Sequence, residues 1–225
     1  MLIDLKLADK NIVIVGGGNV GERKAKKFLE AGSHVCIVSE NFTKGLKKLR
    51  RKRGIKLVKV KVQSDASLIA KWISKSDIVI SATDNSTLNE AIAREAKKSR
   101  IPMCAVDNPS ISDFTFPAIA EIGDFRIAIS TEGKSPAMAR ILRKRIEETI
   151  TPEDLLQVKL QDYIRKLVKS KIPNRKLRKN ILYKIIHSKE INDLLKEDRF
   201  KEAKKKAEKM IVHNAHLEHA NLEDS

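Results

Sequence analysis

The sequence predicts an α/β protein with a doubly wound, Rossmann-type parallel sheet. In the first half of the chain, short apolar runs rich in Val and Ile alternate with amphipathic segments of about 10 to 15 residues. This is the pattern of buried strands whose two faces are covered by helices. The first run ends in consecutive glycines, as the first strand of such folds often does. A chain of 225 residues that is 41% hydrophobic can form one such domain and a smaller second unit.

Five strands are expected before residue 107. The first lies near Ile12 to Val15, the second spans His34 to Ser39, and the third lies in IKLVKVKV, after a strongly basic helix. The fourth lies in DIVISAT and the fifth in IPMCAV. The segments NVGERKAKKFLEAG, ASLIAKWISK and STLNEAIAREAKKS are expected to be helices, because each places apolar residues on one face. Trp72 lies on such a face and is expected in the core.

The alternation stops after residue 106. Two extended pieces, Phe114–Ala120 and Phe125–Ser130, are expected to form a hairpin through a turn at Gly123 and Asp124. A lone hairpin is marginally stable, so its apolar face must be buried against something else. A second copy of the chain would do this, and we therefore predict a homodimer.

Helix start signals follow the hairpin. Ser135 can cap a helix that has Pro136 at its first position. Thr151 can cap another, with Pro152 at the first position and Asp154 completing a capping box. The chain then stays helical and charged to about residue 209, and its last residues are expected to fray. These patterns predict three domains: a cofactor-binding domain at 1–113, a dimerisation hairpin and helix at 114–150, and a helical domain at 151–225.

The chain carries a net charge of +17, and the excess of bases is spread along its length. The densest cluster has ten basic residues and no acidic one between Lys44 and Lys61. Such a surface attracts polyanions, either nucleic acid or a substrate with many carboxylates. No aromatic residue interrupts this basic run, so the pattern does not indicate a base-stacking platform. A generally basic proteome would explain the charge equally well.

Cysteine usage and hydropathy indicate a cytoplasmic protein. Cys36 and Cys104 both lie in apolar runs typical of strands, which favours reduced core thiols over a disulfide. No apolar segment approaches the roughly 20 residues needed to span a bilayer. The first residues include acids where a signal peptide would have bases. We therefore expect neither a membrane partner nor secretion.

The glycine cluster predicts a dinucleotide site. Residues 16 to 21 fit the pattern G-x-G-x-x-G between a strand and a helix, where a turn, a close approach to pyrophosphate and helix packing each require a glycine. Glu40 follows the second strand, 19 residues after the last glycine, and is suited to bind the adenosine ribose. Its carboxylate favours NAD over NADP, whose 2′-phosphate it would repel. The expected cofactor-binding residues are Gly16, Gly18, Asn19, Val20, Gly21, Ser39, Glu40, Asn41 and Thr83.

Two aspartates follow the fifth strand. Asp107 comes directly after it, at the carboxyl edge where a nicotinamide would lie, and is the candidate general base. The alternative is a structural role in an Asx turn leading into Asn108 and Pro109. Asp113 precedes the hairpin and is interpreted as a local cap or turn residue.

Four linked motifs carry a family resemblance: GGGNVGERKAKKFLEAG, SATDNSTLN, VDNPSISDFTFPAI and ISTEGKSPAMARILRKRIE. With their order and spacing, the chain from about Ile3 to Ile150 resembles the precorrin-2 dehydrogenase/sirohydrochlorin ferrochelatase family, the dehydrogenase part of siroheme synthase. The remainder resembles the family only in being helical and basic. One position departs from the pattern, because Cys104 stands where the family usually has Asn.

The resemblance implies NAD-dependent oxidation of the tetrapyrrole precorrin-2 to sirohydrochlorin, in siroheme biosynthesis. It implies that Asp107 is the acid/base residue, since that position matches the aspartate of the family's VVD-x-P motif. It also implies a substrate site at Thr131, where Lys134 and Ser135 of the same loop would hold a carboxylate ahead of a helix. A substrate rimmed with carboxylates suits the positive charge better than nucleic acid does, so no nucleic-acid partner is expected.

Metal chemistry stays open at this stage. Some family members insert Fe²⁺ into sirohydrochlorin, and the sequence does not decide whether this chain does so. His213, His216 and His219 are spaced by three residues, but no Cys or acidic pattern accompanies them, so no metal site is predicted.

Two other functions are weighed against the dehydrogenase. The first is an NAD-sensing regulator or nucleic-acid-binding protein without redox turnover, which the basic charge favours and the absence of a helix-turn-helix pattern opposes. The second is a metallochelatase that has lost redox activity, which the intact glycine loop and Glu40 oppose.

Overall fold

The computed structural model describes residues 2–61 and 66–223, with backbone alone for Arg53 and residues 214–223. The chain forms two compact units, Met1–Phe116 and Pro117–Ser225. The predicted three-part division at residues 113 and 150 stays a prediction. No helix within the described residues is both long enough and apolar enough to span a membrane.

The first unit is a five-stranded parallel sheet with the strand order β3-β2-β1-β4-β5, which confirms the doubly wound prediction. The strands are β1 (Asn11–Val15), β2 (His34–Ser39), β3 (Lys56–Lys59), β4 (Ile78–Ser81) and β5 (Met103–Ala105). The helices are α1 (Asn19–Glu30), α2 (Lys44–Arg53), α3 (Ala70–Ile73) and α4 (Ser86–Lys98). The third predicted strand reached Val62, which lies outside the described residues.

Helices cover both faces of this sheet, and each face has its own core. Along β1, Val13 faces the side covered by α3 and α4, while Ile12 and Ile14 face the side covered by α1 and α2. Because both faces are buried, the central strands β1 and β4 are apolar at nearly every position rather than at alternate ones. Cys36 packs on the first side and Cys104 on the second, and both are free thiols, as predicted.

One predicted helix is shorter than expected. The segment ASLIAKWISK forms a 3-10 turn at Ala66–Ile69 followed by the single turn of α3. At its end, the carbonyl oxygen of Ile73 accepts from both the N–H and the hydroxyl of Ser76, at 3.0 and 2.7 Å, while the N–H of Asp77 donates to the carbonyl oxygen of Asn11, at 2.8 Å. Trp72 is partly buried against the core, as expected.

The second unit begins with an antiparallel hairpin of β6 (Ala118–Ile122) and β7 (Phe125–Ile129). The predicted first piece began at Phe114, which is wrong by four residues. Phe114 packs into the core of the first unit, and Phe116 meets the ring of Phe28 edge-on, at 6.2 Å between centroids. Because of these aromatic contacts, residues 114–116 belong to the first unit, and the hairpin begins only at Ala118.

Five helices follow: α5 (Pro136–Thr149), α6 (Pro152–Lys171), α7 (Arg175–Ile186), α8 (Lys189–Lys196) and α9 (Phe200–Glu223). Ser135 caps α5, and Thr151 and Asp154 form the predicted capping box at the start of α6. Helices α6 to α9 enclose a core that includes Leu160, Ile164 and Ile185. The last helix continues through Glu223, so the expected end near residue 209 is wrong.

Candidate functional site

An open groove of about 900 Å³ lies at the carboxyl edge of the first unit's sheet. The strand order reverses there, between β1 and β4, which is where doubly wound folds bind their ligands. The walls come from the loops after β1 and β2 and from the ends of β4 and β5. The predicted residues among its lining are Gly16, Gly18, Asn19, Val20, Ser39, Glu40, Asn41, Thr83 and Asp107.

The glycine loop is close-packed at Gly16, Gly17 and Gly21 and open at Gly18. Gly16 has a φ of +117°, and a Cβ built on it would lie 2.3 Å from the carbonyl oxygen of Ala82. A Cβ on Gly21 would lie 2.0 Å from the carbonyl oxygen of Gly16, so this glycine lets α1 pack against the loop rather than lining the groove. A Cβ on Gly18 would have no heavy atom within 4 Å.

The start of α1 fits the diphosphate of a dinucleotide. Gly18 is its N-cap and supplies no side chain to satisfy the first N–H groups of the helix. Gly18, Asn19 and Val20 all line the groove, so these donors and the positive end of the helix dipole meet open space. A helix start with open room at its cap is the cradle that a diphosphate requires.

The loop after β2 forms the side of the groove that would meet a ribose. Glu40 is exposed there between Ser39 and Asn41. The loop ends at Thr43, which caps α2 by accepting a hydrogen bond from the backbone N–H of Leu46, at 3.1 Å. The capped helix start thus fixes the end of this loop.

Glu22 links this loop to α1. The hydroxyl of Thr43 donates to its carboxylate at 2.5 Å, and Lys26 forms an ion pair with it at 2.6 Å. Hydrogen bonds from Lys26 and then Thr43 lower the pKa of Glu22. A Cβ on Gly45 would lie 2.1 Å from this carboxylate, so α2 approaches α1 closely at this point. The contacts of Glu22 therefore hold the loop after β2 in a fixed position against α1, the helix that follows the glycine loop.

A buried amide connects the ends of β4 and β5. Asn89 of α4 is 1% exposed, and its Nδ2 donates to Asp107 Oδ1 at 3.3 Å and to the Thr83 carbonyl oxygen at 3.2 Å. Its Oδ1 accepts from the hydroxyls of Ser81, at 2.6 Å, and Thr83, at 2.5 Å. The Thr83 hydroxyl donates its proton to Asn89 and therefore has none to donate to a ligand in the groove. Asn85 caps α4 by accepting from the N–H of Leu88.

Asp113 has a different role from Asp107. Its carboxylate accepts a hydrogen bond from the backbone N–H of Met103, at 2.9 Å, and its own N–H donates to the Met103 carbonyl oxygen, at 2.8 Å. The partner is a strand rather than the cap or turn expected from the sequence. Asp113 therefore fixes the chain beside β5, whereas Asp107 lines the groove.

Cys104, at the position where the sequence departs from the resemblance, is buried in the core, and burial raises the pKa of its thiol. Lys24 of α1 is near it and lies over the ring of Phe116, with Nζ 3.2 Å from the centroid. Desolvation by burial lowers the pKa of Lys24 to about 8. Neither side chain lines the groove.

The predicted substrate residues lie together in the second unit, ahead of α5. The Thr131 hydroxyl accepts from the backbone N–H of Ser135 at 3.0 Å, and the Ser135 hydroxyl accepts from the N–H of Met138. Lys134 is exposed, with its Nζ 3.6 Å from a carboxylate oxygen of Glu132. The loop is therefore ordered by its own hydrogen bonds, with one cation at its surface.

Sequence reasoning overlooked Ser81 and Asn89. The sequence offers a signal for the burial of Asn89, a polar residue three positions before Ile92 and seven before Ala96 on the apolar face of a predicted helix, but none for its partners. For metals, no group of three or more His, Cys, Asp or Glu side chains comes together within residues 2–61 and 66–213, where side chains are described. His216 and His219 lie where only the backbone is described.

The fold and the groove define the class: an NAD-binding protein of the doubly wound dehydrogenase type. Family models agree, since residues 3–118 match a putative NAD(P)-binding family and residues 123–149 match a sirohaem biosynthesis protein central domain. The precorrin-2 dehydrogenase of Methanosarcina barkeri is 37% identical over 186 residues, covering 82% of this chain and 81% of the relative. The chain belongs to the precorrin-2 dehydrogenase family.

Other similarities agree with this assignment. The siroheme synthase of Psychrobacter sp. is 36% identical over 169 residues, which cover 75% of this chain but 33% of that protein. The chain thus spans about a third of that longer relative. A solved structure of SirC, a precorrin-2 dehydrogenase, superposes with a TM-score of 0.73 at 18% identity, over 92% of this chain and 99% of that chain. At this identity the superposition shows a shared fold.

Proposed function

We propose that this protein oxidises precorrin-2 to sirohydrochlorin with NAD⁺ as the acceptor. The main support for the proposal is that the glycine loop and the Asp107 carboxylate line one and the same groove. The 37% identity to a precorrin-2 dehydrogenase over most of both chains supports the choice of substrate. In the overall reaction the macrocycle loses two electrons and two hydrogens, one as a hydride and one as a proton.

The groove residues fit NAD⁺. The uncapped N–H groups at the start of α1 bind the diphosphate, and Glu40 accepts hydrogen bonds from the adenosine ribose. Ser39, Asn41 and Thr83 line the same groove. When bound, NAD⁺ supplies the acceptor for the hydride.

Asp107 acts as the base in this proposal. Its carboxylate is exposed at the end of β5, and the hydrogen bond from Asn89 leaves oxygen lone pairs available to take up the substrate proton. Among the carboxylates that line the groove, Glu40 follows β2 and Asp84 follows β4, while Asp107 alone follows β5.

The loop before α5 binds a carboxylate of the substrate in this proposal. Lys134 supplies the charge, and the hydrogen bonds of Thr131 and Ser135 hold the loop in a fixed shape. The chain's charge of +17 favours a substrate with many carboxylates over a neutral one.

The protein is a homodimer in this proposal, assembled through the hairpin and α5. Ile119 of β6 is 37% exposed, and Met138 and Ile141 of α5 are 42% and 45% exposed. Burying such residues against a second copy is favourable. Sedimentation at micromolar concentration tests this, and a monomer would remove the dimer from the proposal.

We further propose a cytoplasmic location, without membrane or nucleic-acid partners. Two free thiols on opposite faces of one sheet suit a reducing compartment. The basic helix α2 has no aromatic residue among its ten positions, which opposes base stacking.

The test is an anaerobic assay with precorrin-2 and NAD⁺ that follows NADH formation. Asp107→Asn removes the base while keeping the side-chain shape, and we expect turnover to fall by about 10² to 10⁴-fold. Asp9→Asn is the matched control, since the Asp9 carboxylate is exposed and lies outside the groove. Wild-type protein without turnover would refute the function, and an active Asp107→Asn variant would refute the role of Asp107. Adding sirohydrochlorin with Fe²⁺ or Co²⁺ instead tests for chelation.

A further inference from the structure

The amide of Asn89 is fixed in one orientation by its four hydrogen bonds. Its oxygen meets two hydroxyl donors, from Ser81 and Thr83, while its nitrogen meets a carbonyl oxygen and the Asp107 carboxylate. Turning the amide over would set its oxygen against those two oxygens, neither of which can donate. Because Asn89 is 1% exposed, no bulk water could relieve that repulsion. The N–H therefore has to point at Asp107.

The three partners of Asn89 come from different parts of the sheet edge. Ser81 is the last residue of β4, Thr83 lies in the loop that follows, and Asp107 follows β5. Within the described ranges, Asn89 is the side chain that donates to the Asp107 carboxylate. The exposed carboxylate is thus held at one oxygen by a buried, fully hydrogen-bonded amide.

We propose that Asn89 is a positioning residue for the Asp107 carboxylate, held in its donating orientation by Ser81 and Thr83. The inference rests on the proposed function, in which Asp107 takes the proton. A hydrogen bond to one carboxylate oxygen fixes the orientation of the carboxylate and the direction of its free lone pairs.

Asn89→Asp removes the hydrogen bond that the amide donates to Asp107. Aspartate has the same shape and still accepts from the hydroxyls of Ser81 and Thr83, but its ionised form donates nothing to Asp107. It also adds a like charge beside Asp107, which raises the pKa of a neighbouring carboxyl. The other titratable side chains that line the groove are Glu40 and Asp84, which the substitution leaves unchanged. Asn180→Asp, at an exposed position of α7, is the matched control.

Two kinetic readouts separate positioning from a general structural effect. We expect kcat of Asn89→Asp to fall at least about 30-fold, with KM for NAD⁺ changed less than about threefold. We also expect the acid limb of the kcat–pH profile to move up by about one pH unit or more. Wild-type kcat with an unmoved profile would overturn the proposal. So would a variant in which kcat, KM and melting temperature all change together while the pH profile stays in place.

A third readout does not depend on turnover, so failure of the proposed function can be told from failure of this inference. Carboxyl ¹³C NMR follows the titration of Asp107, assigned by the signal lost in Asp107→Asn. We expect its apparent pKa to rise in Asn89→Asp because of the added charge. In Ser81→Ala, which adds no charge but removes one hydroxyl that holds the amide, we expect the chemical shift of the Asp107 carboxyl carbon to change. If Asn89→Asp does not fold, Ser81→Ala decides the question. A titration of Asp107 identical to the wild type in the folded variants overturns the proposal.

Discussion

Gly18 and Gly21 separate cofactor binding from folding, because a methyl group at each meets a different environment. On Gly18, where φ is −80°, an added Cβ has no heavy atom within 4 Å. We expect Gly18→Ala to change the free energy of unfolding by less than about 1 kcal/mol, since alanine is a weaker N-cap but restricts the unfolded chain. On Gly21, the Cβ would lie 2.0 Å from the carbonyl oxygen of Gly16. The backbone must then shift by more than about 1 Å, at a cost of about 1–3 kcal/mol.

The two variants should therefore respond oppositely in two assays. A methyl group at Gly18 occupies the space where a diphosphate approaches the first N–H groups of α1. Losing one or two charge-assisted hydrogen bonds, at about 1.5–3 kcal/mol each, raises the Kd for NAD⁺ by about 10-fold to about 10⁴-fold. Gly21→Ala instead lowers the melting temperature by about 2–12 °C. Calorimetric titration with NAD⁺ and thermal melts measure both. An NAD⁺ affinity of Gly18→Ala within threefold of wild type would refute the assignment of the phosphate site.

Three further predictions concern charged residues of the first unit. Glu40→Ser should weaken NAD⁺ binding about 5- to 10-fold and improve NADP⁺ binding, since it removes both the ribose acceptor and the repulsion of a 2′-phosphate; unchanged selectivity in paired titrations would contradict this. The pKa of Lys24 is lowered from 10.5 to about 8. At pH values between these two, Lys24 is protonated in the unfolded chain and neutral in the folded chain, so the unfolded chain binds more protons. The difference in melting temperature, wild type minus Lys24→Met, should therefore increase with pH between about 8 and 10 and stay constant below pH 8. A difference that does not change with pH would contradict the burial of the Lys24 ammonium group. Asp113→Ala should cost about 1–3 kcal/mol in denaturant titrations, because the N–H of Met103 loses its partner, while NAD⁺ affinity stays unchanged; reduced affinity at wild-type stability would contradict this.

Most of the first unit could be predicted because each signal is local. Short apolar runs marked the five strands, and the glycine pattern between a strand and a helix marked the loop at residues 16 to 21. The helix caps at Ser135 and Thr151 followed from side chains within three residues of the N–H groups that they satisfy. Such features depend on neighbours in sequence, which a single chain displays.

The sequence predictions failed where contacts between residues distant in sequence determine the local structure. Phe114 and Phe116 look like the start of a strand, yet they pack against the first unit and delay the hairpin to Ala118. The network around Asn89 needs the ends of β4 and β5 to meet the first turns of α4, which no local pattern indicates. The sequence could predict that Asp107 lies at the sheet edge, but not which side chain holds it.

The segment after β5 also explains why the sheet stops at five strands. β5 is an edge strand, and its outward N–H and C=O groups belong to Met103 and Ala105. Asp113 pairs with both groups of Met103, and the Ser112 hydroxyl contacts both groups of Ala105. No hydrogen-bonding group of these two residues remains for a sixth strand or for a strand from another molecule. The turn that presents Asp107 to the groove thus also protects this edge of the sheet from aggregation.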